Sequence, residues 1–174
     1  MLDHNVGVFL VRGTKRFLDR VPHPVDTHGD FDEPANLLGD WYANVLFWRP
    51  QVALFVNERT LLPVFLPMAP AATVALRFPD VLGNMLTEYG FDAWFTEVEA
   101  PTMDDYCLAP TQSRSVLASM NDFVRQARYW KNVATDEDAL IALSLRLAAT
   151  PCGPLFKSEG SPDRELAEFI RKLR

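Results

Sequence analysis

The chain opens with an unbroken apolar run in "NVGVFLVRG", which predicts a buried strand over residues 6–12. Gly13 reads as a turn and Thr14 as the hydroxyl cap of a short helix that carries Phe17, Leu18 and Val21. The next stretch, "PHPVDTHGDFDEPANLLG", has no periodicity and is rich in proline and glycine, so it predicts a long loop. Residues 39–67 then hold three runs rich in Val, Phe, Trp and Leu, separated by "RPQ" and "NERT". This is the pattern of an antiparallel three-stranded meander. Its middle strand is apolar on both faces, which calls for cover on each side, and Pro63 and Pro67 put the third strand at an edge or make its ladder irregular.

Helical spacing takes over from Pro79, read as the first turn of a helix with Val81, Leu82, Met85, Leu86 and Tyr89 on one side and Gly90 as its stop. "WFTEVEA" (94–100) alternates enough for a further strand, and "MDDYCLAP" adds a short one. A helix capped by Ser113 or Ser115 should run to about Lys131, with Val116, Met120, Phe123, Ala127 and Trp130 on its core face. Thr135 is expected to cap a helix that is apolar nearly all round and therefore central. A last amphipathic helix begins at Ser161 and Pro162 and buries Leu166, Phe169, Ile170 and Leu173. The fold class is therefore α+β: an antiparallel sheet, built on the central meander with roughly four to six strands, packed against several helices. Residues 1–174 form one domain, and residues 134–174 its C-terminal helical extension.

Composition narrows the function classes. The net charge of −6 opposes sequence-independent nucleic-acid binding, which depends on basic side chains releasing counterions. No apolar run free of proline is long enough to span a bilayer. An acidic residue near the start, where a secretory signal would be basic, points to the cytoplasm. Cys107 and Cys152 have no CxxC partner and fit free thiols. Cys152 has no histidine nearby in sequence, and there is no GxSxG elbow, Gly-rich phosphate loop or GxGxxG, so no cofactor is expected.

Three segments carry a resemblance: "LGDWYAN" (38–44), "FVNERTLLPV" (55–64) and "SRSVLASMND" (113–122), with "TKRFL" near the start. They resemble signature segments of a family of small bacterial proteins built on a domain of unknown function. Ala118 stands where glycine is common in that family, and "GTK" where "CTK" is usual. The resemblance spans about two thirds of the chain and leaves the tail after Val133 as an addition. It supplies no reaction. It does single out the polar residues Asp40, Asn44, Glu58, Arg59, Arg114, Ser115, Ser119, Asn121 and Asp122.

Pairing within the meander would set Asp40 opposite Arg59 and on the same face as Asn44 and Asn57, with Arg114 satisfied by Glu58 or Asp40. The bland version of this cluster is a buried polar network that fixes a helix to the sheet. The functional version is a small-anion or partner site, in which helix amides, serine hydroxyls and the Arg114 guanidinium converge. The stripe holding Ser115, Ser119, Asp122 and Gln126 otherwise reads as a solvated face, with Asp122 paired to Arg125 or Gln126. "HPVDTHGDFDE" offers His23, Asp26, His28, Asp30, Asp32 and Glu33, but at no metal-site spacing, so no metal is expected there. "RQARYWKN" reads as a helix end rather than a nucleic-acid surface.

The expectation is a cytoplasmic binding or accessory protein, with Asp40, Asn44, Glu58, Arg59, Arg114, Ser115, Ser119 and Asp122 as candidate ligand residues. One alternative is a metal-independent hydrolase or phosphoryl-handling enzyme using Asp40, Glu58 or Asp122 with Arg59 or Arg114. Another is a nucleic-acid-associated regulator acting through Arg114, Arg125 and Arg128.

Overall fold

A computed structural model describes residues 7–29 and 36–174. Five strands, β1 (Val8–Gly13), β2 (Trp41–Leu46), β3 (Val52–Asn57), β4 (Pro63–Pro67) and β5 (Asp105–Pro110), form one sheet in the order β4-β3-β2-β1-β5. The meander β2-β3-β4 is antiparallel as expected, with Trp41 opposite Asn57 and Val52 opposite Pro67. The strand predicted at 6–12 becomes β1, which lies parallel to both β2 and β5 and makes the sheet mixed. The long connection from β1 to β2 permits that geometry, since parallel neighbours need crossovers rather than hairpins.

The fold is α+β, with helices covering both faces. On one side Phe9, Val11, Trp41, Ala43 and Phe55 pack under α1 (Lys15–Leu18) and α2 (Val74–Glu88). On the other side Tyr42, Leu46, Leu54 and Val56 pack under α4 (Arg114–Ala127). Thr14 caps α1 by accepting from the Phe17 amide at 3.4 Å, and Ser113 caps α4 through the Val116 amide at 3.2 Å.

The helix expected from Pro79 starts earlier, at Val74, and holds Pro79 inside it. Starting there lets Phe78 reach Phe55, Trp41 and Phe9, with ring centroids 4.3, 4.7 and 5.9 Å away, and this burial outweighs the amide hydrogen bond that proline removes. "WFTEVEA" is not a strand. It coils through the short α3 (Asp92–Trp94) into a π turn over Phe95–Glu99. A strand would bury alternate residues, whereas here Trp94, Phe95 and Glu99 turn inward while Thr96, Glu97 and Val98 face outward.

Asp136, not Thr135, caps α5 (Glu137–Ala148), because its carboxylate accepts from the Ala139 amide at 2.8 Å. α5 is not apolar all round: Ala142 and Arg146 are exposed. α6 (Pro162–Leu173) buries Leu166 and Ile170 as expected, Phe169 is half-buried and Leu173 is exposed. Ser161 does not cap α6 with its side chain, which donates instead to the Asp163 carboxylate at 2.5 Å.

α5 lies against β4 and closes that edge of the sheet. Pro63, Phe65 and Pro67 share the parity whose amides point away from β3, and both prolines lack an N–H. The remaining outward donor, Phe65 N–H, bonds the Ser144 hydroxyl at 2.8 Å, and that hydroxyl donates to Leu140 C=O at 2.8 Å. The edge therefore offers no free donor to another chain. Ser144→Ala leaves the Phe65 amide buried without an acceptor and is expected to cost about 1–3 kcal/mol in urea unfolding.

Candidate functional site

β1 and β5 end side by side, Gly13 opposite Pro110, and the chain leaves them to opposite faces. After β1 it turns through Thr14 into α1, whose Phe17 packs on the α2 side; after β5 it passes through Thr111–Gln112 to Ser113 and into α4 on the other side. Adjacent parallel strands whose connections diverge in this way form a topological switch point, the place where open α/β sheets commonly take a ligand.

A polar strip on the α4 face of the sheet runs up to the ends of those strands. Asp40, Tyr42 and Asn44 alternate along β2 and its entry, so they share one face with Arg12 of β1, which sits opposite Tyr42. Arg12 Nε donates to Asp40 Oδ2 at 2.9 Å, with the two side chains 7% and 12% exposed, and its Nη1 donates to Pro110 C=O at 3.3 Å. Tyr42 Oη accepts from the Ser113 amide at 3.1 Å, which ties the first residue of the α4 cap to the sheet. Thr14 Oγ1 donates to Asn44 Oδ1 at 2.8 Å, and that same oxygen takes the Val45 amide.

At the opposite end of the strip Glu58 is half-buried, and its amide donates to Asp40 C=O at 3.1 Å. Burial pushes the Glu58 carboxyl above its ordinary range, and the neighbouring Asp40 charge adds to the rise. Gly39 has φ +79°, and a Cβ there would stand 2.8 Å from Arg59 Nε and 3.0 Å from Glu58 Oε1, so the "LGD" and "NERT" turns meet at a position only glycine fills well. Glu99, fully buried, accepts from Asn36 Nδ2, Leu37 N and Leu38 N, all at 3.0 Å, and so anchors the chain leading into Gly39 and Asp40. Burial still raises its pKa, outweighing the three donors.

The predicted site residues fall in several places. Asp40, Asn44 and Glu58 share the strip. Asn57 does not, because it pairs with Trp41 and faces the α2 side, where its amide donates to Leu38 C=O at 2.8 Å and its oxygen holds the Arg59 and Thr60 amides. Arg59 is exposed, with its guanidinium 5.9 Å from the centre of the Phe169 ring rather than paired to Asp40. Arg114 and Ser115 are exposed at the start of α4, and the cation that pairs with Asp40 is Arg12, not Arg114. Ser119 is buried and hydrogen-bonds Cys152, whose thiol burial pushes up. Asn121 is exposed, and Asp122 is exposed and paired to Arg125, with Gln126, Arg128 and Tyr129 around the same shallow cleft.

Arg12, Thr14, Tyr42 and Glu99 were missed as site residues. For Arg12 the signal was present: a charge inside an otherwise apolar strand is buried only with a partner. Among the described residues no group of His, Cys, Asp and Glu could hold a metal ion. His23 stacks on Tyr106 with ring centroids 4.6 Å apart, and Asp26 caps its own turn through the His28 and Gly29 amides; Asp30, Asp32 and Glu33 lie outside the described residues. Among the described residues no helix is long and apolar enough to cross a membrane.

No curated protein and no solved structure matches the chain. A family model, Domain of unknown function (DUF6933), matches residues 10–165, from within β1 into α6 and well past Val133, where the resemblance of the short segments ends. The strip, the switch point and the helices that frame them all lie within that match, and the chain belongs to the DUF6933 family.

Proposed function

We propose that this chain is a cytoplasmic binding protein, not a catalyst, and that it takes a small anion at the ends of β1 and β5. The divergence of the chain to opposite faces at Gly13 and Pro110 carries this reading. At that point Ser113 spends its hydroxyl on Val116 N–H and its backbone C=O on Leu117 N–H, which leaves the Arg114 and Ser115 amides at the positive end of α4. Arg114, exposed and without an ion pair among the described residues, adds a cation beside them. The bonds that Arg12 and Thr14 donate and the one that Tyr42 accepts from the Ser113 amide tie the strand ends and the α4 cap together.

Titration of the isotopically labelled protein with inorganic phosphate is expected to shift the Arg114 and Ser115 amide resonances. Arg114→Ala should weaken that binding about tenfold, as loss of a charge-assisted hydrogen bond does, while the unfolding midpoint stays at the wild-type value. Phosphate that leaves both amides unmoved, or binds Arg114→Ala as well as wild type, overturns the reading.

A further inference from the structure

A second feature at the same end of the sheet gathers two cations on an exposed aromatic ring. Phe47, which follows β2, is 46% exposed, and two guanidiniums stack on its ring, Arg20 at 4.7 Å and Arg16 at 5.6 Å from the centroid. Arg16 and Arg20 are four positions apart across α1 and the turn after it, a spacing at which like charges repel. Both planar forks lie against this one ring, and their edges carry the N–H donors that a ligand would use, one of them, Arg20 Nη1, already shared with Gln51.

Charge around this clamp runs against the rest of the molecule. Lys15, Arg16 and Arg20 gather here on one short stretch with the acid Asp19, a balance of +3 − 1 = +2 over those four described residues in a chain of net charge −6. Asp19 is already engaged by Lys15 at 3.0 Å. Beside Arg20 opens a cleft of about 440 Å³, within the usual range of small-molecule sites, lined by Asp19 and Arg20 on one side and by Met68, Ala69 and Ala71 on the other, with the Gln51 side chain accepting from Arg20 at 3.4 Å. Cationic forks at one side and apolar walls at the other match a ligand with an anionic head and an apolar body.

We propose that the Arg16–Phe47–Arg20 clamp and its cleft form a second binding site, specific for a small organic phosphate whose phosphate lies between the guanidiniums and whose apolar part rests on Met68, Ala69 and Ala71. The site is independent of the one at the start of α4, so either reading stands if the other fails. The probe is phenyl phosphate, compared with inorganic phosphate and with phenol by calorimetry and by side-chain resonances of Phe47 and Gln51. Wild type should bind phenyl phosphate about tenfold more tightly than inorganic phosphate at this site, since burying a ring adds apolar contact, and should not bind phenol measurably. The double variant Arg16→Ala/Arg20→Ala, truncated at two exposed positions, should fold as wild type and lose phenyl phosphate, while Arg114→Ala keeps it. Equal affinity for phenyl phosphate and inorganic phosphate, retention by the double variant, or loss in Arg114→Ala with Phe47 and Gln51 unmoved would each overturn the proposal.

Discussion

Arg12→Ala is expected to lower the unfolding free energy by about 3–5 kcal/mol, the cost of breaking a buried ion pair by removing one partner. The reason lies in what remains. Asp40, only 12% exposed at its side chain, would lose its cationic partner and be left with Glu58 as an acidic neighbour. The truncation also removes the donor to Pro110 C=O, so the end of β5 loses its tie to β1 just before α4 begins. Urea unfolding of Arg12→Ala beside Arg12→Met/Asp40→Leu separates the two contributions. An apolar pair of similar volume leaves no orphaned charge, so the double variant should recover most of the loss. A single variant within about 1 kcal/mol of wild type would mean that the pair behaves as a solvated surface bridge.

The second large effect is expected at Glu99. Glu99→Ala strips the acceptor from Asn36 Nδ2, Leu37 N and Leu38 N in a buried site and should cost on the order of 3 kcal/mol, several unsatisfied donors being only partly rescued by water. Its pH dependence has a definite sign. The folded-state pKa of Glu99 is raised above the ordinary 4.5, with burial as the largest cause. Its stabilising contribution is therefore fully present below pH 4.5 and is lost as pH rises through the folded value. The gap between wild type and Glu99→Ala should be wider at low pH than at pH near 8. A gap that widens with pH would mean that the three N–H donors outweigh burial and favour the carboxylate.

Much of the architecture was legible because it depends on local pattern. The meander has turn residues at "RPQ" and "NERT" and apolar runs between them, and the structure has β2, β3 and β4 there. Thr14 and Ser113 cap the helices they were expected to cap, since a hydroxyl before an amphipathic run acts through its own neighbours. The edge position of β4 followed from Pro63 and Pro67, which cannot donate to a ladder.

Other elements were decided at a distance. "WFTEVEA" alternates like a strand, yet the chain coils because Glu99 is needed against residues 36–38, more than sixty positions away, and Trp94 and Phe95 against the core. Pro79 signals a helix start, yet Phe78 must reach Phe9, Trp41 and Phe55, so the helix begins a turn and more before it.

The candidate site divides in the same way. By itself the sequence determined which face of β2 would be polar, because side chains alternate along a strand and Asp40, Tyr42 and Asn44 fall on one side whatever surrounds them. It could not determine which cation meets Asp40, since Arg59 and Arg114 were near by sequence logic while Arg12 is near only after β1 inserts in parallel between β2 and β5. The same insertion brings Gly13 and Pro110 together and sends α1 and α4 to opposite faces. Strand pairing between distant segments carries no local periodicity, so it was the burial of both faces of the sheet, a property of the whole chain, that set those strand ends side by side.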